Sequence, residues 1–240
     1  MQDQPPVSEV VQEAPDDGQT LVESITEIYV EYSKVSESIS IETIPAVSPD
    51  AERPYWEILP DHQVLTLKGY PISDHLMKAQ IFVYPVADLG VFNTGAATIA
   101  SDLKSLLEDH QINDYLPFLP MFNAAQVMHS QVKYLDFQNG SGVRFLTQFD
   151  QAPLPIINME LIYTYQGLSS DGKYYVAAVF PVNHADLPDT NQVTAQQQSD
   201  LEKFPTYLAE TLAWLGQQPD ASFNPDLSKL DALVQSIVVK

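Results

Sequence analysis

The chain has 240 residues, of which 45% are hydrophobic and 10% aromatic, so it carries enough apolar side chain to bury a core and is not a disordered, collagen-like or disulfide-stapled miniprotein. Eleven basic against 32 acidic residues give a net charge of -21, too few cations to neutralise phosphates, which excludes nucleic acid and an anionic membrane surface and leaves neutral or cationic partners. With no cysteine there is no disulfide, no thiolate metal site and no cysteine nucleophile.

Residues 1–24 mix Pro5, Pro6 and Pro15 with Glu9, Glu13, Asp16 and Asp17 and few large apolar side chains, a composition that does not repay its ordering entropy. They are expected to be an acidic tether, followed by a single domain over 25–240. From Ile28 the chain alternates, with Ile28, Val30 and Tyr32 on one face and Glu27 and Glu31 on the other, which predicts a strand. Further short strands are expected at Ile39 to Ile44, Pro54 to Ile58, Val64 to Tyr70 and Gln80 to Pro85, each bounded by Pro, Gly or polar residues. Ala96, Ile99, Leu103, Leu106 and Leu107 then recur at helical spacing opposite Asp102, Lys104 and Glu108, so a helix is predicted with Thr94 as its N-cap.

Leu116 to Phe122 is apolar but holds Pro117 and Pro120, which lack an N–H, and reads as an ordered loop over the core. Val127 to Phe137 and Gly142 to Phe149 flank Asn139-Gly140-Ser141-Gly142, a hairpin signal that rests on cheap positive φ. Asn158 to Gln166 and Lys173 to Val182 flank Ser169-Ser170-Asp171-Gly172, and the two hairpins together predict a four-stranded meander. After a polar stretch, Leu201, Phe204, Leu208, Leu212 and Leu215 predict a helix in which Pro205 marks a kink or a late start. Asp226 to Val239 repeats the helical pattern.

No stretch encodes a specific catalytic motif. His62, His75, His110, His129 and His184 stand too far apart for a local zinc pair. His184 with Asp186 and Asp189 is the one set in which a histidine shares a loop with two carboxylates, and it is the candidate metal site, although a polar exit loop explains it equally well. Arg144 is one of two arginines and lies in an alternating strand. It is a candidate anion clamp, with a salt bridge to Asp136 or Glu160 on a neighbouring strand as the commoner role for such a residue. Tyr55 and Trp56 belong to an aromatic set suited to a carbohydrate or hydrophobic groove, so Arg144, Trp56 and Tyr55 are the ligand-binding candidates. No glycine-rich phosphate loop or nucleophile elbow is present, and no catalytic residue and no cofactor are expected.

The segments Asn139 to Phe149, Leu161 to Leu168, Asp171 to Ala178 and Gln80 to Val86 resemble a group of bacterial extracytoplasmic proteins of unknown activity, often lipoproteins. The order of strands, helix, meander and closing helix is similar to the PsbP-type α/β/α sandwich. The resemblance implies an extracytoplasmic location, secreted or held by a lipid anchor, and transfers no site residues; on composition alone the alternative is an acidic cytoplasmic protein with a natural Met1. If a lipobox cysteine once preceded Gln2, residues 1–24 would be the stalk of a tethered lipoprotein and the anchor its sole membrane contact.

These readings converge on an α+β domain: a mainly antiparallel sheet of six or seven strands, one helix inserted before the meander and one or two C-terminal helices packed on it. The function expected is a non-enzymatic, extracytoplasmic binding or accessory protein of the bacterial cell envelope, with an envelope protein or a small molecule as partner. The alternative is a hydrolase or lyase whose carboxylates meet only in the fold.

Overall fold

Alternation sorts each strand's side chains onto two faces, and here both faces are buried, so the central strands are apolar on both sides. A computed structural model describes residues 28–190 and 203–240 of the chain. The expected tether at 1–24 and the first residues of the expected helix around Leu201 lie outside the described residues. In chain order the strands are β1 (Ile28–Tyr29), β2 (Ser38–Ile44), β3 (His62–Lys68) and β4 (Gln80–Pro85), followed by helices α1 (Val86–Phe92) and α2 (Thr94–Asp109). Then come β5 (Ala125–Phe137), β6 (Gly140–Asp150), β7 (Ile162–Ser169), β8 (Tyr174–Pro181) and β9 (Asn183–His184). Helix α3 (Phe204–Leu215), β10 (Phe223–Asn224), α4 (Leu227–Ser236) and β11 (Val238–Val239) complete the domain.

Seven strands form one sheet in the order β2-β3-β4-β8-β7-β6-β5, with every neighbouring pair antiparallel. The α1–α2 segment carries the chain from β4 across the sheet to the far edge at β5, and the meander β5 to β8 returns until β8 closes against β4. The fold is thus the expected α+β class, with its helical insertion before the meander and its C-terminal helices on the sheet.

Phe82, Tyr84, Phe145, Tyr175 and Val179 face α1 and α2, where Leu89, Ala96, Ala100, Leu103 and Leu106 cover them. Ile81, Val83, Leu146, Tyr163, Tyr165 and Phe180 point to the opposite face and pack beneath Leu215 of α3 and Leu227, Leu230, Leu233 and Val234 of α4. Each such side chain, fully buried, is worth about 1.5–3 kcal/mol.

Several local expectations are corrected. The alternating run from Ile28 supplies a two-residue strand that pairs with β11, outside the main sheet, and β11 takes the last residues of the segment expected to be wholly helical. Tyr55–Glu57 is one 3-10 turn closed by Glu57 N–H donating to Pro54 O at 2.9 Å, where a strand was expected. Asn158 to Leu161 is a turn, with Glu160 and Leu161 N–H both donating to Ile157 O. The N-cap of α2 is Asn93, whose Oδ1 accepts from Ala96 N–H at 3.1 Å, and Thr94 is the first helical residue. Pro205 sits in the first turn of α3, where its missing N–H costs no hydrogen bond. The first hairpin turns at Gln138–Asn139, and neither Gly140 nor Gly142 takes a positive φ. Both glycines are needed for space, because a Cβ on Gly140 would lie 2.2 Å from the Phe137 ring and one on Gly142 would lie 2.4 Å from Gln166 O.

Candidate functional site

The two coverings of the sheet differ, and the difference locates the site. On the α3/α4 face the seal includes buried charge. Arg144 of β6 is 2% exposed, and its Nε donates to Asp231 of α4 at 3.2 Å, its Nη2 to Asp220 at 2.8 Å and its Nη1 to Gln131 O at 2.7 Å. Lys133, directly across the strand pair from Arg144, reaches the same Asp231 at 2.7 Å, and Tyr163 O–H donates to it at 3.0 Å. Two like charges at one cross-strand position are thereby reconciled by one carboxylate between them. Burial, then the neighbouring Asp231 carboxylate, holds the Tyr163 phenol well above its ordinary range.

Gln131 makes the arrangement fit. It occupies the bulge in β5 at φ 54°, which turns its carbonyl to Arg144, while its side-chain amide donates to Leu215 O and Gln218 O at the end of α3. Arg144 therefore spends its donors inside the protein. Its carboxylate partners come from the C-terminal segment, whereas Asp136 or Glu160 was expected, and an anion clamp open to solvent is not what the geometry provides.

The candidate metal set is not assembled either. His184 is 4% exposed, edge-on to the Trp214 and Phe223 rings at 4.8 and 5.1 Å. Its Nε2 lies 3.1 Å from Ser222 Oγ, and its Nδ1 accepts from Asp186 N–H at 3.2 Å. Since Ser222 O–H donates onward to Pro219 O, Nε2 carries the proton and both ring nitrogens are committed. Asp189 Oδ1 accepts from the Asn158 amide, which also ties His184 O and Leu187 O. Among the described residues no three His, Asp or Glu side chains are grouped to hold a metal ion.

The opposite face is closed by α1, α2 and, beside them, a loop. Pro117 and Pro120 deprive the 110–124 segment of self-made hydrogen bonds, and its buried peptide groups need other partners. Two buried glutamines supply them. Gln126 Oε1 accepts from Leu116 N–H at 2.8 Å, and Gln166 Oε1 accepts from Leu119 N–H at 2.9 Å while its Nε2 donates back to Leu119 O at 3.1 Å. Each amide copies a strand neighbour for one residue. Leu116, Phe118 and Leu119 are buried against the sheet, Met121 lies against Gly95 of α2, and residues 111–115 are exposed.

Between loop and helix lies a cleft of about 530 Å³. Its floor is the cluster Phe118, Phe122 and Phe149, with ring centroids 4.5–5.3 Å apart. One wall is the α2 flank bearing Asp102, Ser105 and Asp109, and Tyr55 and Tyr115 stand at the mouth, 60% and 68% exposed. Asn93 positions Tyr55: as it caps α2 through Oδ1, its Nδ2 donates to Tyr55 O at 2.6 Å, fixing the 3-10 turn against the helix start. A shallower depression of about 800 Å³ adjoins this cleft, sharing Tyr55, Tyr115, Phe122, Ala124 and Gln126 and extending past Asp150 to Phe204.

Of the ligand-binding candidates, Tyr55 thus lines the cleft, Trp56 packs edge-on to it at 5.5 Å, and Arg144 lies on the other side of the sheet. Tyr115, Phe122 and Asp102 were not singled out from sequence. Near the far end, Asp150 Oδ2 and Glu160 Oε2 are buried without a hydrogen-bond partner, and burial followed by the Asp150 charge raises the Glu160 carboxyl above its ordinary value of 4.5. Among the described residues no helix is long and apolar enough to cross a membrane. Comparison with protein-family models, curated proteins and solved structures finds no match.

Proposed function

We propose that the protein is a non-enzymatic binding or accessory protein of the bacterial cell envelope and that it takes its partner in the cleft between α2 and the 110–124 loop. One observation carries the reading: two tyrosines stand largely exposed at the mouth of a cleft whose floor is already aromatic. Exposing such rings forgoes burial energy, and contiguous exposed apolar surface around a concavity marks a binding site. The net charge of -21 supports a neutral or cationic partner. The envelope location rests on the resemblance and on the composition of residues 1–24, and fractionation of producing cells tests it.

The binding reading is tested by an NMR fragment screen of the wild type against Tyr55→Ala/Tyr115→Ala. Both side chains are mostly in solvent, so the variant keeps its stability within about 0.5 kcal/mol and loses the fragments that shift cleft resonances. The same fragments binding both proteins equally would place the site elsewhere.

The second reading, a hydrolase or lyase, draws on Glu160, whose carboxyl is raised above its ordinary value by burial and by the neighbouring Asp150 charge, as a general acid requires. Turnover of a chromogenic glycoside or ester that Glu160→Gln abolishes would favour it.

A further inference from the structure

Resting on the binding reading, we infer that the partner is an extended, cationic peptide segment held as a polyproline-type helix along the groove between α2 and the 110–124 loop. The first support is shape. The cleft and the adjoining depression share five residues and run on from one another, from the flank of α2 past the N-terminal end of the edge strand β5 to the start of α3. A trough of that form suits an extended chain.

The second support is charge and its spacing. The described residues lining both halves include Asp102, Asp109 and Asp150 and neither lysine nor arginine. Asp102 and Asp109 are both exposed and seven residues apart on one helix flank, about 10.5 Å at 1.5 Å per residue. A polyproline helix returns to the same face every three residues, a repeat of about 9.3 Å. Cations at positions i and i+3 of such a peptide therefore meet Asp102 and Asp109 in register. Neighbouring proline or aliphatic residues of the same segment lie on Tyr55, which stands at the start of α2, and on Tyr115 and Phe122, since preformed polyproline helices bind rows of aromatic rings with little ordering cost.

Charge also decides against occupants from this chain. Residues 1–27 and 191–202 contain no lysine or arginine, and a second copy brings another net charge of -21. The occupant is a different, basic chain.

Panning a random dodecamer phage library on the full-length protein, with counter-selection on Asp102→Asn/Asp109→Asn, tests this. Peptides with Lys or Arg at i and i+3 and neighbouring proline or aliphatic residues are expected to be enriched. A fluorescent synthetic copy of an enriched peptide is expected to bind at least about tenfold more weakly to the Asn variant, and more weakly as salt rises from about 0.05 to 0.5 M. Asp88→Asn, an exposed site away from the groove, should leave its affinity unchanged, and circular dichroism checks that the variants are folded. Enrichment without basic residues, equal affinity for wild type and the Asn variant, or no enrichment would each overturn the inference. A neutral fragment or oligosaccharide that binds the wild type and not Tyr55→Ala/Tyr115→Ala would overturn it while leaving the binding reading in place.

Discussion

Replacing Arg144 by Met tests the buried ion network most directly. The side chain is 2% exposed and its main partner Asp231 is 6% exposed, so the substitution strands a carboxylate that water cannot reach. Removing one member of a buried pair costs about 3–5 kcal/mol, because the remaining charge keeps its desolvation penalty. Here Lys133 at 2.7 Å and the Tyr163 hydroxyl at 3.0 Å still serve Asp231, and Asp220 is one-third exposed, which places the loss at the lower end, about 3 kcal/mol. For a domain of this size that is a fall in Tm of about 6–12 °C. Urea titration followed by circular dichroism measures it through the midpoint at an unchanged slope. Arg144→Met/Asp231→Leu should recover part of the loss, since both buried charges are then gone and Lys133, half exposed, returns to solvent, while the buried Tyr163 O–H loses its acceptor. A loss below about 1 kcal/mol for the single variant, the range of exposed pairs, would refute the reading of Arg144 as a desolvated anchor of the C-terminal segment.

Gly140→Val should cost about 1–3 kcal/mol, because the new Cβ meets the Phe137 ring and Leu168 O inside 2.5 Å, whereas Gly172→Ala, in open space at φ +71°, should lose only about 1–2 kcal/mol from the backbone; denaturant titration giving wild-type stability for Gly140→Val would show that the hairpin makes room. Glu160→Gln should raise stability at neutral pH. The folded carboxyl titrates above its ordinary value, so the native state binds more protons than the unfolded one between the two, and the wild type loses stability as pH rises through that window. The gain should vanish below about pH 4, where both states are protonated. A gain that persists in acid would assign it to packing.

Strand period and turn residues carried most of the architecture because the central strands are apolar on both faces and each hairpin is bounded by residues that cannot continue a strand. The misread segments share one cause: an apolar run does not say what it pairs with. Pro54 to Ile58 has strand composition, yet its backbone closes a single turn through Glu57 N–H on Pro54 O and Ile58 N–H on Tyr55 O, which Asn93 fixes from 38 positions away. Asn158 left the expected strand because its side chain binds His184 N–H, His184 O, Leu187 O and Asp189 at once, a role that depends on residues 26 to 31 positions away. The short helix α1 follows β4 with Pro85 as its N-cap and only Leu89 fully buried, so it has no stripe to read.

The candidate site was legible only in part, and the reason is physical. Arg144 looked like a binding residue because it is rare and sits among aromatics, but Asp231 and Asp220 claim it from 87 and 76 positions away, a pairing that sequence spacing does not show. Its burial seals one face of the sheet under α3 and α4. The other face carries α1, α2 and a segment with Pro117 and Pro120, and this last part of the cover is a loop held at Leu116 and Leu119 by Gln126 and Gln166, with the cleft lying between it and the α2 flank. The cleft is the consequence of that asymmetry. Proline at 117 and 120 was visible in the sequence, and so was Tyr55; what was not visible is that Asn93 would cap α2 with one end of its amide and hold Tyr55 with the other, which sets an exposed ring at the mouth of the cleft the prolines open.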